Sequence, residues 1–388
     1  MFDFDQIIDR RIPGDIKYER VNDFPDVIPL WVADMDFKTA PCVEQAINQV
    51  AVRGVYGYQN VDDEYLDLVR AWYSRRFSFE VQKEWILPSP GVMYSVACTI
   101  RALTNEGDGI LIFEPVYYPF AEVIRGNRRE LVTCDLVDND GYYTIDFADF
   151  ERKMTENRVK TVLFCSPHNP VGRVWNREEL RRVAEICLRH NAVIISDEIH
   201  SDLVFAPNKH TPFASLSEDV AARTVTCAAP TKTFNLASVE ASEVIVPDPS
   251  IRKAIQRKMR ANCCERINTF AIAATKAVYS EGEEWLDALL CYLAESRRIL
   301  CEAFADGDGI RIRQPEGTYL AWLDCRKLGL SDNRLYDLML NTAHVRLHKG
   351  CAFGNAGRGF LRLNFACPHS VLREAIRRIR QAIHDCAK

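Results

Sequence analysis

The chain has no apolar run long enough to cross a bilayer as a helix, which takes about 20 residues, so a membrane-spanning protein is not expected. It has no basic excess either. Its 49 Lys and Arg stand against 54 Asp and Glu, a formal net charge of -5, which argues against a nucleic-acid partner. The clusters Arg252–Arg260 and Arg373–Arg380 alternate with apolar residues at helical spacing, as solvated helix faces do. None of the 14 cysteines is at Cys-x-x-Cys spacing, and no Cys/His cluster reads as a metal site. Cys98, Cys165, Cys227 and Cys301 fall inside apolar runs, where cysteine acts as a small hydrophobe, and a reduced, cytoplasmic setting is expected. Met1–Arg20 is studded with Asp and Arg and offers no signal-type apolar core. Internal repeats and low-complexity linkers are also missing.

What is present is enough for a large core: 47% hydrophobic and 10% aromatic residues over a length of 388, more than one ordinary core needs. Gly109–Phe113, Thr161–Cys165, Ala192–Ser196, Thr224–Ala228 and Val244–Val246 are short, apolar and rich in β-branched residues, the pattern of buried strands. Met93–Leu103, Glu178–His190 and Pro249–Cys264 have helical periodicity between or after them. This alternation predicts an α/β fold with a mostly parallel sheet flanked by helices. After a long helix over Glu283–Ala305 the pattern restarts. Strands are expected at Ile310–Arg313, Tyr319–Asp324, Val345–His348 and Phe360–Phe365, closed by a helix over Ser370–Ala387. The predicted organisation is a loop-rich N-terminal segment, 1–52, packing with a small domain; a large domain, 53–283; and a smaller C-terminal α/β domain, 284–388.

The chemistry-bearing residues cluster just past the apolar strands, where α/β folds place ligands. Lys232, in Pro230-Thr231-Lys232-Thr233-Phe234-Asn235, follows Thr224–Ala228. Asp197 and His200, in Ser196-Asp197-Glu198-Ile199-His200, follow another such run; an acid there can pair with a ring nitrogen and keep it protonated. Their spacing also suits metal ligands, but no third ligand appears and no metal is expected. Asn169, in Ser166-Pro167-His168-Asn169-Pro170, stands where its amide can donate to a ligand oxygen, or simply form a turn. Ser89-Pro90-Gly91-Val92-Met93 opens a helix whose free N–H groups suit a phosphate. Tyr117, after Glu114-Pro115-Val116, offers a ring for stacking. Arg362 is a charge inside the strand Phe360–Phe365, a natural bidentate partner for a carboxylate unless it lies on the solvent face. The glycine-rich Gly354–Gly359 precedes a strand rather than opening a helix, so it is not a dinucleotide loop.

In order, these segments resemble the fold-type-I pyridoxal-5'-phosphate (PLP) enzymes, the class I/II aminotransferase superfamily. Trp31-Val32-Ala33-Asp34-Met35-Asp36-Phe37, Gly54-Val55-Tyr56-Gly57-Tyr58, Pro315-Glu316-Gly317-Thr318-Tyr319-Leu320 and Arg362-Leu363-Asn364-Phe365-Ala366-Cys367-Pro368 narrow the resemblance to the cystathionine β-lyase-like C–S lyases. The resemblance implies PLP as cofactor, Lys232 as its Schiff-base lysine and the base for the α-proton, and Asp197 at the pyridine nitrogen. It implies Asn169 at the phenolic oxygen, His200 in support and Tyr117 stacked on the ring. The backbone of Val92 and Met93 and the Thr231 hydroxyl would hold the phosphate, and Arg362 the carboxylate of a small amino-acid substrate. Tyr58 would reach the phosphate of the other subunit, making the active unit a homodimer with shared sites. The implied reaction is α,β-elimination from L-cystathionine or a related S-substituted cysteine, giving a thiol, pyruvate and ammonia. An aminotransferase of the same cofactor, and a lyase-fold protein with an added regulatory binding role, are the alternatives. The chain departs from the group at Ser238 and His369, where Gly and Arg are usual, and it carries an acid, Glu240, near the expected phosphate.

Overall fold

The computed structural model describes residues 2–19, 26–305 and 309–386. Its central sheet has eight strands in the order Ile86–Ser89, Ser242–Ile245, Thr224–Ala228, Val193–Asp197, Thr161–Cys165, Gly109–Glu114, Glu130–Asn139 and Tyr142–Ile145. The five strands from Thr224–Ala228 to Glu130–Asn139 pair in parallel, and the three outer ones make antiparallel pairs with their neighbours. Every residue of Thr161–Cys165, Val193–Asp197 and Thr224–Ala228 is buried, because helices cover both faces of a parallel sheet. On one face lie the helices Val92–Leu103 and Pro249–Ala261, which pack on each other. Arg177–Arg189 starts at Asn176, whose side chain accepts from Glu179 N while the Glu179 carboxylate accepts from Asn176 N.

A second, antiparallel sheet runs Arg311–Ile312, Leu320–Asp324, Phe360–Asn364 and His348–Lys349, flanked by the helices Glu283–Ala303 and His369–Cys386. The expected strand Val345–His348 is two strands. Val345–Arg346 pairs in parallel with Ile28–Pro29, whereas His348–Lys349 turns to pair with Phe360–Asn364. The first fifty residues are not loop throughout: Pro41–Arg53 is a helix, packed on Thr269–Glu281. Proline at its first position and Gly54 in the left-handed conformation after it mark both ends. The other expected elements lie within three residues of the observed ones. Ala387, the expected end of the last helix, falls outside the described residues, as do Met1 and Arg20. Among the described residues no helix is long and apolar enough to cross a membrane.

Candidate active site

Four segments follow neighbouring strands of the large sheet and meet in one cavity of about 320 Å³. Asp197 is the last residue of its strand, Tyr117 comes three residues after Gly109–Glu114, and Asn169 and Lys232 come four residues after theirs. Parallel strands end on the same edge, so side chains scattered over 116 positions are brought together without any local motif. Val92, Met93, Thr231 and His200 also line the cavity, and Arg362 enters from the second sheet. The helix Val92–Leu103 has no side-chain cap, which leaves its first N–H groups open to an anion. Of the ten residues singled out from the sequence, nine line this cavity.

Tyr58 is the exception. It is fully exposed, with the Arg266 guanidinium 5.9 Å from its ring centre, and does not line the cavity of its own chain. Val52, Val55 and Tyr56 beside it are exposed as well. Ser238 and Glu240, the departures after the lysine, are exposed and do not line the cavity, although Ala237 does. His369 stacks on Tyr292 at 3.8 Å, far from this chemistry in role.

The electrostatics of the cavity are those of groups kept from water without being neutralised. Asp197 is 3% exposed and accepts one N–H, from Ile199 at 3.1 Å; burial pushes its carboxyl up to about 7. Burial pulls the Lys232 amine down to about 8, and its Nζ donates to the Ala33 carbonyl at 2.6 Å. His200 is held neutral, at about 3, by burial and then by Lys232 and Arg362; its Nδ1 has no partner among the described residues. Burial raises the Tyr117 hydroxyl to about 12. Arg362, 3% exposed, donates to Asn169 Oδ1 at 3.1 Å and to the Trp31 carbonyl at 2.7 Å, and its Nε has no partner among the described residues. No carboxylate pairs with it among the described residues, and burial pulls its guanidinium down to about 10. A buried cation without an anion is costly unless a ligand supplies one.

Sequence reasoning missed several lining residues. Trp31, Tyr118 and His348 form an aromatic wall, the His348 ring 5.9 Å from Trp31 and 5.2 Å from Tyr118. His348 lies directly across the ladder from Arg362, a register only the folded sheet defines.

The family model described as Aminotransferase class I and II matches residues 25–379. The chain belongs to the class I and II aminotransferase family. Within that family it is 39% identical to cystathionine beta-lyase PatB of Bacillus subtilis, over 98% of this chain and 99% of that one. The structure of cystalysin from Treponema denticola, which contains pyridoxal 5'-phosphate, superposes with a TM-score of 0.96 at 36% identity, covering 99% of each chain. A PLP-bound protein of Clostridium difficile 630, provisionally named an aminotransferase, superposes equally well at 40% identity, over 99% of this chain and 100% of that one. The architecture is that of a fold-type-I PLP enzyme.

The cavity fits this family's cofactor. PLP needs a carboxylate for a protonated ring nitrogen, an amine for its aldehyde carbon, and donors for its phosphate. Asp197, Lys232, and the helix start at Val92 with Thr231 present these groups around one volume, and the orphaned His200 Nδ1 adds an unsatisfied polar atom to it. PLP is the cofactor.

Proposed function

We propose that this protein is a PLP-dependent carbon–sulfur β-lyase that cleaves L-cystathionine or related S-substituted cysteines. Each turnover consumes one water and yields a thiol, pyruvate and ammonium. The single observation that carries the reading is the pairing of a depressed lysine with a buried, anion-free arginine across one cavity. Together they suit the α-hydrogen and the carboxylate of one amino acid.

PLP, when bound, supplies an electron sink for the charge left on the α-carbon after proton removal. The rest is the work of this chain. Arg362 receives the substrate carboxylate through its free Nε and a neighbouring Nη, a two-bond fork that fixes the α-carbon. Asn169 must turn its oxygen to Arg362, which can only donate, so its Nδ2 hydrogens remain for the cofactor's phenolic oxygen. Asp197 holds a proton at the ring nitrogen, and Tyr117 packs against the ring. Lys232, with its amine near 8, is partly unprotonated at neutral pH and accepts the α-proton. The thiolate then departs from the β-carbon. Transamination begins with the same proton transfer, and the aminotransferase name carried by the Clostridium difficile protein keeps it as the second reading. The enzyme works as a homodimer, the exposed Tyr58 reaching the partner's phosphate site, in the reduced cytoplasm that its 14 free cysteines suit.

The test is a panel of S-substituted cysteines with pyruvate and thiol release followed together, and Lys232→Ala as control. Elimination gives both products in equal amounts without an added keto acid, and the control gives neither and loses the visible absorbance of bound cofactor. A reaction that needs a keto-acid acceptor and releases no thiol would make the enzyme a transaminase.

A further inference from the structure

Consecutive backbone carbonyls from Trp31 to Met35 each accept a hydrogen bond from a distant side chain. The Trp31 carbonyl takes Arg362 Nη2 at 2.7 Å, and the Val32 carbonyl takes Asn364 Nδ2 at 2.6 Å. Ala33 takes Lys232 Nζ at 2.6 Å and the Tyr319 hydroxyl at 3.0 Å. Asp34 takes Asn364 Nδ2 and, at 3.4 Å, Lys17 Nζ. Met35 takes Arg10 Nη1 at 3.1 Å and Asn235 Nδ2 at 3.0 Å. The base and the carboxylate clamp therefore hang from one stretch of backbone, two residues apart.

The side chains of that peptide are anchored by two cations that do not line the cavity. Lys17, with no exposed surface, pairs with Asp36 at 2.8 Å and Asp34 at 3.2 Å. Arg10 pairs with Asp34 at 2.8 Å, Asp36 at 3.0 Å and Asp15 at 3.1 Å. The Lys17 carbonyl in turn accepts the Trp31 indole N–H at 3.0 Å. Buried ion pairs of this kind are poor stabilisers compared with apolar packing, so their presence asks for another reason. Their geometry supplies one, since charge-assisted bonds are directional and hold a backbone where dispersion contacts would let it slide.

We propose that Lys17 and Arg10 are positioning residues: by clamping Asp34 and Asp36 they fix the Trp31–Met35 carbonyls, and so set the place of the free Lys232 amine relative to the carboxylate held by Arg362. The proposal rests on the lyase reading for the roles of Lys232 and Arg362. It extends the catalytic apparatus to the N-terminal segment, whose Ile16 already stands at the cavity wall.

The experiment uses cofactor-loaded Lys17→Met and Arg10→Gln proteins. Backbone hydrogen exchange is measured at Met35 and Asp36, whose N–H groups bond to Asn235 Oδ1 and the Ala366 carbonyl. Exchange there should quicken at least about tenfold while the central sheet stays protected. In parallel, kcat should fall about 10²-fold, the scale of an ångström-sized misplacement, and KM should rise much less. A merely structural role would lower thermal stability without that split. Should Lys17→Met fail to fold, Arg10→Gln, at the more exposed edge of the network, decides alone. Folded variants with unchanged exchange at Met35 and Asp36, or with kcat within about threefold of wild type, overturn the proposal. A wild-type enzyme that does not eliminate would sink the lyase reading instead, and the exchange result would still show whether the two cations hold the peptide.

Discussion

Replacing Arg362 by methionine should separate catalysis from stability. The guanidinium has five N–H donors, of which the Asn169 and Trp31 oxygens use two. A carboxylate on two of the others gains two bonds to a charged group, each worth about 1.5–3 kcal/mol. Their loss amounts to about 3–6 kcal/mol, so kcat/KM should fall about 10²- to 10⁴-fold. Stability follows a different sum. Burial pulls the guanidinium down to about 10, so at neutral pH, where it is protonated both folded and unfolded, keeping the charge costs about 3 kcal/mol. The two bonds it makes within the protein, donated by the same charged group, return about 1.5–3 kcal/mol each, so the net loss on removal is about 0–3 kcal/mol. Removing it should therefore leave the melting temperature within about 4 °C of wild type. Steady-state kinetics on an S-substituted cysteine and thermal unfolding of the same preparation read both numbers. A variant that keeps wild-type kcat/KM, or one that unfolds many degrees lower with substrate binding intact, would refute the reasoning and make Arg362 a structural residue.

Two further outcomes are expected. Asp197 has its pKa raised from the usual carboxylate range to about 7 in the cofactor-free chain. Its protonated form adds stability that is full below about 4 and is lost as pH rises through about 7, a change of about 4 kcal/mol. Asp197→Asn should flatten that part of the stability–pH profile of the cofactor-free protein, and with cofactor bound should lose most activity; an unaltered profile refutes the assignment. If Tyr58 serves the neighbouring subunit, mixing Tyr58→Phe chains with Lys232→Ala chains should give heterodimers in which one site regains wild-type cofactor affinity. If the active sites of the mixture keep the weakened affinity of the Tyr58→Phe parent, Tyr58 serves its own chain.

The parts of the fold that were legible in the sequence are those whose environment is uniform. Thr161–Cys165, Val193–Asp197 and Thr224–Ala228 are buried on both faces and read as unbroken apolar runs, and the polar residues just after them were legible for the same reason. The strand Glu130–Asn139 was missed because it alternates buried with exposed residues, so Asp135 and Asp138 interrupt it; the Asn139-Asp140-Gly141 turn into Tyr142–Ile145 was the available signal. Lys17 was illegible for a different reason. A lysine in a loop reads as solvated, and its burial is made by Asp34 and Asp36, whose acidic side chains looked like part of a motif rather than counter-ions. The carbonyls of Trp31–Met35 carry no sequence signal at all, since every residue has one.

That peptide also has a consequence for how the protein comes into being. Lys17 and Arg10 apart, the side chains that satisfy the Trp31–Met35 carbonyls are Lys232, Asn235, Tyr319, Arg362 and Asn364, which a ribosome makes about 200 to 330 residues later. At about 5–20 residues per second, this segment waits many seconds for its last partners. That peptide is thus among the last parts to reach its native place. An incomplete chain presents Lys232 in a pocket still missing a wall, and only a finished one can close it.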